Sequence, residues 1–176
     1  LQITKKTEIP FDTGNEAKMT LTNTNQMLSG FSTSRTGVDG LKTGSTSFQI
    51  DCFAGTTNQN GFRIITVVLE ATDPAADNST PFTLTNQLMN YVYGHWRTTS
   101  LAQKNQSLDD FKEITVIDGK EKSVQLVAPQ NITPVVPYAT DGSADTKSLT
   151  VKFSKKKTAS VEATVTKNQK LVTLST

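Results

Sequence analysis

The 176-residue sequence predicts an α+β chain in two parts, a portion of an αβα sandwich over residues 1–100 and a small all-β sandwich over residues 101–176. Three observations carry this expectation. Two strand-like runs flank Asn58-Gln59-Asn60-Gly61, and Asn-Gly is a strong hairpin signal where positive φ is needed. After Thr80-Pro81, the residues Phe82, Leu84, Leu88, Tyr91 and Val92 fall largely on one helical face. Beyond residue 112 the pattern changes to short β-type runs at close spacing.

Taken in order, Leu1-Gln2-Ile3-Thr4 alternates like a short strand, Pro10 to Asn15 reads as a turn, and Lys18 to Thr22 alternates again. Asn23 to Asn25 is a brief helical or looped stretch. Ser29 to Gly40, rich in Ser, Thr and Gly, is a surface loop that delivers the chain to a strand at Leu41. Residues near 50–57 pair with Phe62 to Ala71. Within the latter, Ile64-Ile65-Thr66-Val67-Val68-Leu69 is almost continuously apolar, which predicts a central strand covered on both faces and selects the αβα arrangement. A loop from Asp73-Pro74 to Pro81 leads to the helix, with Thr80-Pro81 as N-cap and first turn. Trp96 to Ser100 ends that helix, and polar Gln103 to Asp110 places a boundary within 96–112. Ile114–Ile117, Ser123–Val127, Leu149–Phe153, Val161–Val165 and Leu171–Leu174 then predict a small antiparallel β-sandwich.

Composition excludes several classes. The net charge is +2 and no Lys/Arg stripe is interleaved with aromatics, which argues against nucleic acid as a partner. Residues 1–100 carry 7 basic and 8 acidic groups and residues 101–176 carry 11 and 8, so the second half is the mildly basic one, a solvated surface compatible with an anionic polymer. The single cysteine, Cys52, excludes an internal disulfide and reads as a small buried apolar residue. No apolar run approaches the ~20 residues of a membrane span. His95 is the lone histidine and reads as a helix-end residue, Asp141 to Asp145 lacks the spacing of a calcium loop, and Lys155-Lys156-Lys157 reads as a solvated turn. The reading calls for no cofactor and no metal.

The most informative stretch is Lys42-Thr43-Gly44 within Gly37 to Thr46. It combines a fixed cation, a hydroxyl and a position without Cβ at which a ligand can approach a strand edge. On the pattern alone, an exposed strand end with a turn glycine is the favoured explanation. Around it stand Thr22-Asn23-Thr24-Asn25, Met27-Leu28, Cys52 to Thr57 and Arg63 to Leu69. With these pieces the chain resembles the carboxy-terminal part of low-molecular-weight penicillin-binding proteins of the Gram-positive type, the serine-type D-alanyl-D-alanine carboxypeptidases. Enzymes of that kind carry Ser-x-x-Lys, then Ser-x-Asn, then Lys-Thr-Gly. Only the third is present in context, since Ser154 to Lys157 follows it in a lysine-rich turn.

The resemblance implies a serine β-lactamase/transpeptidase-like αβα sandwich followed by an all-β domain, cell-wall and extracytoplasmic location, and attachment to a membrane through a segment that this chain lacks. It implies a peptidoglycan stem peptide as substrate and β-lactam antibiotics as ligands of the intact parent, with the fragment itself inactive. Lys42 and Ser45 take catalytic roles in it, the lysine as positive potential beside the nucleophile and the Ser45 backbone N–H as one arm of an oxyanion hole. Thr43, Gly44 and Thr46 bind substrate, Thr43 through the terminal carboxylate. One departure stands out: where relatives place a carboxylate-binding arginine at the helix start, this chain has Pro81. The alternative reading is a non-catalytic cell-surface or wall-binding β module in which the Lys-Thr-Gly strand is structural.

Overall fold

The computed structural model describes every residue except 15–17, 47–49, 73–78, 109, 157 and 176. The chain forms two compact units, Leu1–His95 and Trp96–Thr176.

In the first unit, β1 (Glu8–Asp12) and β2 (Lys18–Thr22) make a separate antiparallel pair. β1 covers part of the stretch predicted as a turn. Pro10 is tolerated there because a two-stranded ribbon always offers an edge on which a missing N–H goes unnoticed. Leu1 to Thr4, predicted as a strand, is instead a turn. The main sheet has the order β3 (Val38–Ser45), β4 (Ile50–Gln59), β5 (Phe62–Thr72), all antiparallel. Its β4–β5 hairpin turns through Asn60 at φ 52° and Gly61 at φ 82°, the double positive φ that Asn-Gly supplies at low steric cost. The central strand is β4. The expectation for β5 is corrected: among the described strands it lies at the edge, and it alternates, with Ile64, Thr66 and Val68 buried and Ile65, Val67 and Leu69 between 58% and 69% exposed.

The helix α1 (Thr80–His95) covers the other face. The carbonyl of Ser79 accepts from Phe82 and Thr83, so the cap lies one residue before the predicted Thr80, and Pro81 falls in the first turn where its missing N–H costs nothing. The buried stripe is Pro81, Phe82, Thr85 and Met89. Leu84, Leu88 and Tyr91, predicted on the packing face, are largely exposed and line an open groove of about 510 Å³ against Val67 to Leu69. Met27, Val38, Phe53, Ile64, Phe82 and Met89 form the core, with the Phe53 and Phe82 rings 4.8 Å apart. Each such side chain contributes about 1.5–3 kcal/mol by leaving water. Tyr93 closes the far end, donating to Phe62 O at 3.0 Å.

The second unit is built of short strands: β6 (Trp96–Thr98), β7 (Glu113–Ile117), β8 (Ser123–Gln125), β9 (Val135–Pro137), β10 (Lys152–Phe153), β11 (Ser160–Glu162) and β12 (Leu174–Ser175). β6 pairs with β9, β10 with β12, and β7 lies between β8 and β11. The predicted all-antiparallel pairing is corrected at one place, because β11 runs parallel to β7. Trp96–Thr98, predicted to end the helix, is a strand. β7 alternates as its sequence demands, burying Ile114 and Val116 with Phe111, Ala102, Ala128 and Val136. Asp141 accepts from the Ser143 N–H and Asp145 from the Lys147 N–H, so both carboxylates stabilise their own turns.

Gly55 sets how closely α1 meets β4. A Cβ there would lie 2.7 Å from Phe53 Cε1 and 3.0 Å from Thr85 Cγ2, whereas one on Gly44 would meet only Cys52 Cβ at 3.8 Å. Gly55→Ala is expected to lower stability by about 1–3 kcal/mol and Gly44→Ala to change it by less than about 0.5 kcal/mol. Opening free energies of β4 amides by native-state hydrogen exchange read this unit alone. Equal effects of the two substitutions would contradict this account of helix–sheet contact.

Candidate active site at the open edge of the sheet

β3 pairs with β4 from Val38↔Thr57 to Ser45↔Asp51, and no described strand pairs along its other side. The Thr46 N–H donates to Ile50 O at 3.0 Å, making that pair hydrogen-bonded. Antiparallel pairs alternate, so Ser45↔Asp51 is a non-hydrogen-bonded pair and the Ser45 N–H points away from β4, toward the open edge. The Thr43 N–H, two residues back, does the same. The Lys-Thr-Gly strand therefore offers outward backbone donors at its free edge.

The side chains divide between the faces. Cross-strand partners share a face, and the register Lys42↔Ala54↔Val67 puts Lys42 on the side opposite α1. Thr43↔Phe53↔Val68 puts Thr43 on the core side, where it is half-buried. Lys42, Gly44, Ser45 and Thr46 are exposed. The Lys42 ammonium donates to the Thr43 carbonyl. Gly44 has room for a Cβ inside the chain, so internal packing does not demand glycine at that position. Lys42 and Thr43 line one cleft of about 280 Å³ with Ile9, Leu21, Asn23, Thr24 and Asn25. Ser45 and Thr46 lie beyond it along the strand, and Ser47, which follows them, is outside the described residues.

The sequence did not single out Thr24 as a site residue. Its Oγ1 lies 2.6 Å from Thr43 Oγ1, a contact between residues 19 apart that no local pattern reveals. Asn25 lies beside it, 3% exposed, with an Nδ2 that has no acceptor among the described residues.

The arginines are engaged elsewhere. Arg35 donates to Asn90 Oδ1 at 2.6 Å and stacks over Tyr93, and Arg97 stacks over Tyr138 in the second unit. Arg63 grips Asp39 with two bonds of 2.9 and 2.8 Å and also donates to Thr56 Oγ1 at 2.8 Å. Asp39 stands at the irregular step between Val38 and Gly40, so this bridge ties the start of β3 across β4 to β5. Pro81 is buried in the helix stripe. Cys52 is half-buried rather than buried, and His95 is exposed with its Nδ1 2.7 Å from Tyr91 O. Among the described residues no cluster of His, Cys, Asp and Glu could hold a metal ion, and no helix is long and apolar enough to cross a membrane.

The hydrogen bonds from Arg63, then its charge, hold the Asp39 carboxyl below its ordinary value of 3.8. A carboxyl whose pKa is depressed by folding stabilises the fold above its unfolded value and loses that contribution as pH falls through the folded one. Acidification below about pH 4 is therefore expected to weaken the first unit, and Asp39→Asn to flatten that dependence, in urea titrations followed through the methyl signals of Ile64 and Val68. An unchanged pH profile in Asp39→Asn would remove this bridge from the account.

Comparison with known proteins gives consistent results for both units. Residues 1–73 match the family described as D-alanyl-D-alanine carboxypeptidase, and residues 96–176 match the penicillin-binding protein 5, C-terminal domain. The D-alanyl-D-alanine carboxypeptidase DacF of Bacillus subtilis is 25% identical over 159 residues, which is 90% of this chain and 36% of the relative. The crystal structure of a peptidoglycan synthesis regulatory factor (PBP3) from Streptococcus pneumoniae is similar with a TM-score of 0.65 and 38% identity, covering 77% of this chain and 36% of that one. Penicillin binding protein 5 from Haemophilus influenzae shares the fold at a TM-score of 0.63 and 20% identity, over 98% of this chain and 45% of its own. The chain thus spans about a third of the length of the curated relative it matches.

Proposed function

We propose that this chain, which belongs with the low-molecular-weight penicillin-binding proteins of the D-alanyl-D-alanine carboxypeptidase family, supplies the Lys-Thr-Gly strand and the following all-β domain of a serine-type carboxypeptidase acting on peptidoglycan stem peptides outside the cytoplasm. The observation that carries this reading is the open edge of β3. There a cation, a half-buried hydroxyl and an outward Ser45 N–H sit along one strand, bordering a cleft of about 280 Å³.

In the proposed reaction a serine outside these 176 residues attacks the carbonyl of the penultimate D-alanine. The terminal D-alanine leaves, taking a proton at its nitrogen, and water hydrolyses the acyl-serine ester. The Ser45 N–H stabilises the developing oxyanion, a kind of donor worth ~3–4 kcal/mol. Lys42 supplies positive potential beside the nucleophile. Thr43 holds the terminal carboxylate, Gly44 lets the substrate backbone approach, and Thr46 offers a second hydroxyl on the edge. β-Lactams enter the same path through their own carboxylate and carbonyl. Supporting the reading, Lys42 stands on the face that α1 does not cover, together with Ile65, Val67 and Leu69. An element bringing a serine to Lys42 would also bury that apolar stripe.

Two outcomes test this. The 176-residue chain alone is expected to take up no covalent label from a fluorescent β-lactam, while the complete protein is labelled at a serine outside it. In the complete protein, Lys42→Ala is expected to slow acylation by at least about a hundredfold with little loss of stability, since the side chain is exposed. Stable label on any residue of the isolated chain, or near-normal acylation of Lys42→Ala, would contradict the assignment.

A further inference from the structure

Resting on the reading of the cleft given above, we infer that Thr24 is a positioning residue for carboxylate recognition: it fixes the direction of the Thr43 hydroxyl so that Thr43 donates to the ligand. The two oxygens are 2.6 Å apart, at the short end of the O–H···O range. Each hydroxyl has one proton and two lone pairs, and the shared proton can come from either. An anion on Thr43 leaves a single arrangement: Thr43 donates to the carboxylate and accepts from Thr24. The resulting chain of two hydroxyls is polarised along its length, which strengthens its bond to the anion.

Thr24 is built into this position. On one side of it, Asn23 Nδ2 donates to Thr4 O at 3.0 Å and to Lys6 O at 2.9 Å, while Asn23 Oδ1 accepts the Asn25 N–H at 3.0 Å. On the other side, Asn25 Oδ1 accepts the Met27 N–H at 2.9 Å, with Asn25 3% exposed and Met27 fully buried. Both neighbours are held by these hydrogen bonds, which place Thr24 beside Thr43. No guanidinium competes for the role, because Arg35, Arg63 and Arg97 are all bound elsewhere. The hydroxyl pair is therefore the neutral donor set that a carboxylate meets beside Lys42.

The test measures kcat/KM of the complete protein on a peptide ending in free D-alanyl-D-alanine and on its terminal amide. Thr24→Val is expected to lower the rate on the free carboxylate by about two- to fivefold and to leave the amide unchanged, and Thr24→Ser is expected to retain wild-type selectivity. In a Thr43→Val background, Thr24→Val is expected to add nothing, because it acts through Thr43. Equal slowing of both peptides, additive losses with Thr43→Val, or loss of selectivity in Thr24→Ser would overturn the inference. If Thr43→Val reduces the carboxylate preference and Thr24→Val does not, the inference alone fails. If Thr43→Val itself leaves that preference intact, the reading of the cleft fails and the inference with it.

Discussion

From Val38↔Thr57 to Ser45↔Asp51, the hydrogen-bonded register between β3 and β4 decides which groups of the Lys-Thr-Gly strand are free to do chemistry. A strand that among the described residues pairs only on one side keeps half of its N–H groups unspent there, and the Thr46–Ile50 bond selects Ser45 and Thr43 as the residues that keep them. β4 is in turn held by β5 and by α1, whose approach depends on the missing side chain of Gly55. Disturbance of the core reaches the site through β4. The Asp39–Arg63 bridge, spanning all three strands, braces the end of β3 where the ladder is irregular.

The same register splits the cation and the hydroxyl between two faces. Lys42 looks out over the face that carries Ile65, Val67 and Leu69, and Thr43 is half-buried on the side where α1 packs. A ligand at the strand edge thus meets charge from one side and hydrogen-bond donors from the other. This split also gives the exposed apolar stripe on β5 a physical meaning, since such a stripe costs free energy in water and gains it when covered.

Where local chemistry sets the conformation, the sequence was readable. Asn60-Gly61 demanded a turn with two positive φ values, Thr80-Pro81 marked the start of a helix, and the alternation of Glu113 to Ile117 emerged as one buried and one exposed face. Where tertiary context decided, it was not. The run from Ile64 to Leu69 has the composition of a doubly covered strand, but covering depends on what packs against it, which no local window holds. The helix stripe was read correctly at Phe82 and Val92 and misassigned at Leu84, Leu88 and Tyr91 for a related reason: Thr85, a polar residue, is the one that meets Gly55, while Leu84 and Leu88 face a groove. β6 and β9 are three residues each and too short to show a period, and the parallel pairing of β11 with β7 joins segments far apart in sequence. Lys42 to Thr46 stood out in the sequence because its pattern is local, and Thr24 did not, because its contact with Thr43 crosses from a loop to a strand.

The central claim is that the free edge of β3 is the surface on which an acyl group is held. The most direct measurement is a crystal structure of the complete protein carrying a covalent β-lactam adduct. The account predicts the acyl carbonyl oxygen within hydrogen-bond distance of the Ser45 N–H, the ligand carboxylate within hydrogen-bond distance of Thr43 Oγ1, and the ester at a serine on the Lys42 side of the sheet. An adduct whose carbonyl and carboxylate both lie away from β3 would contradict it.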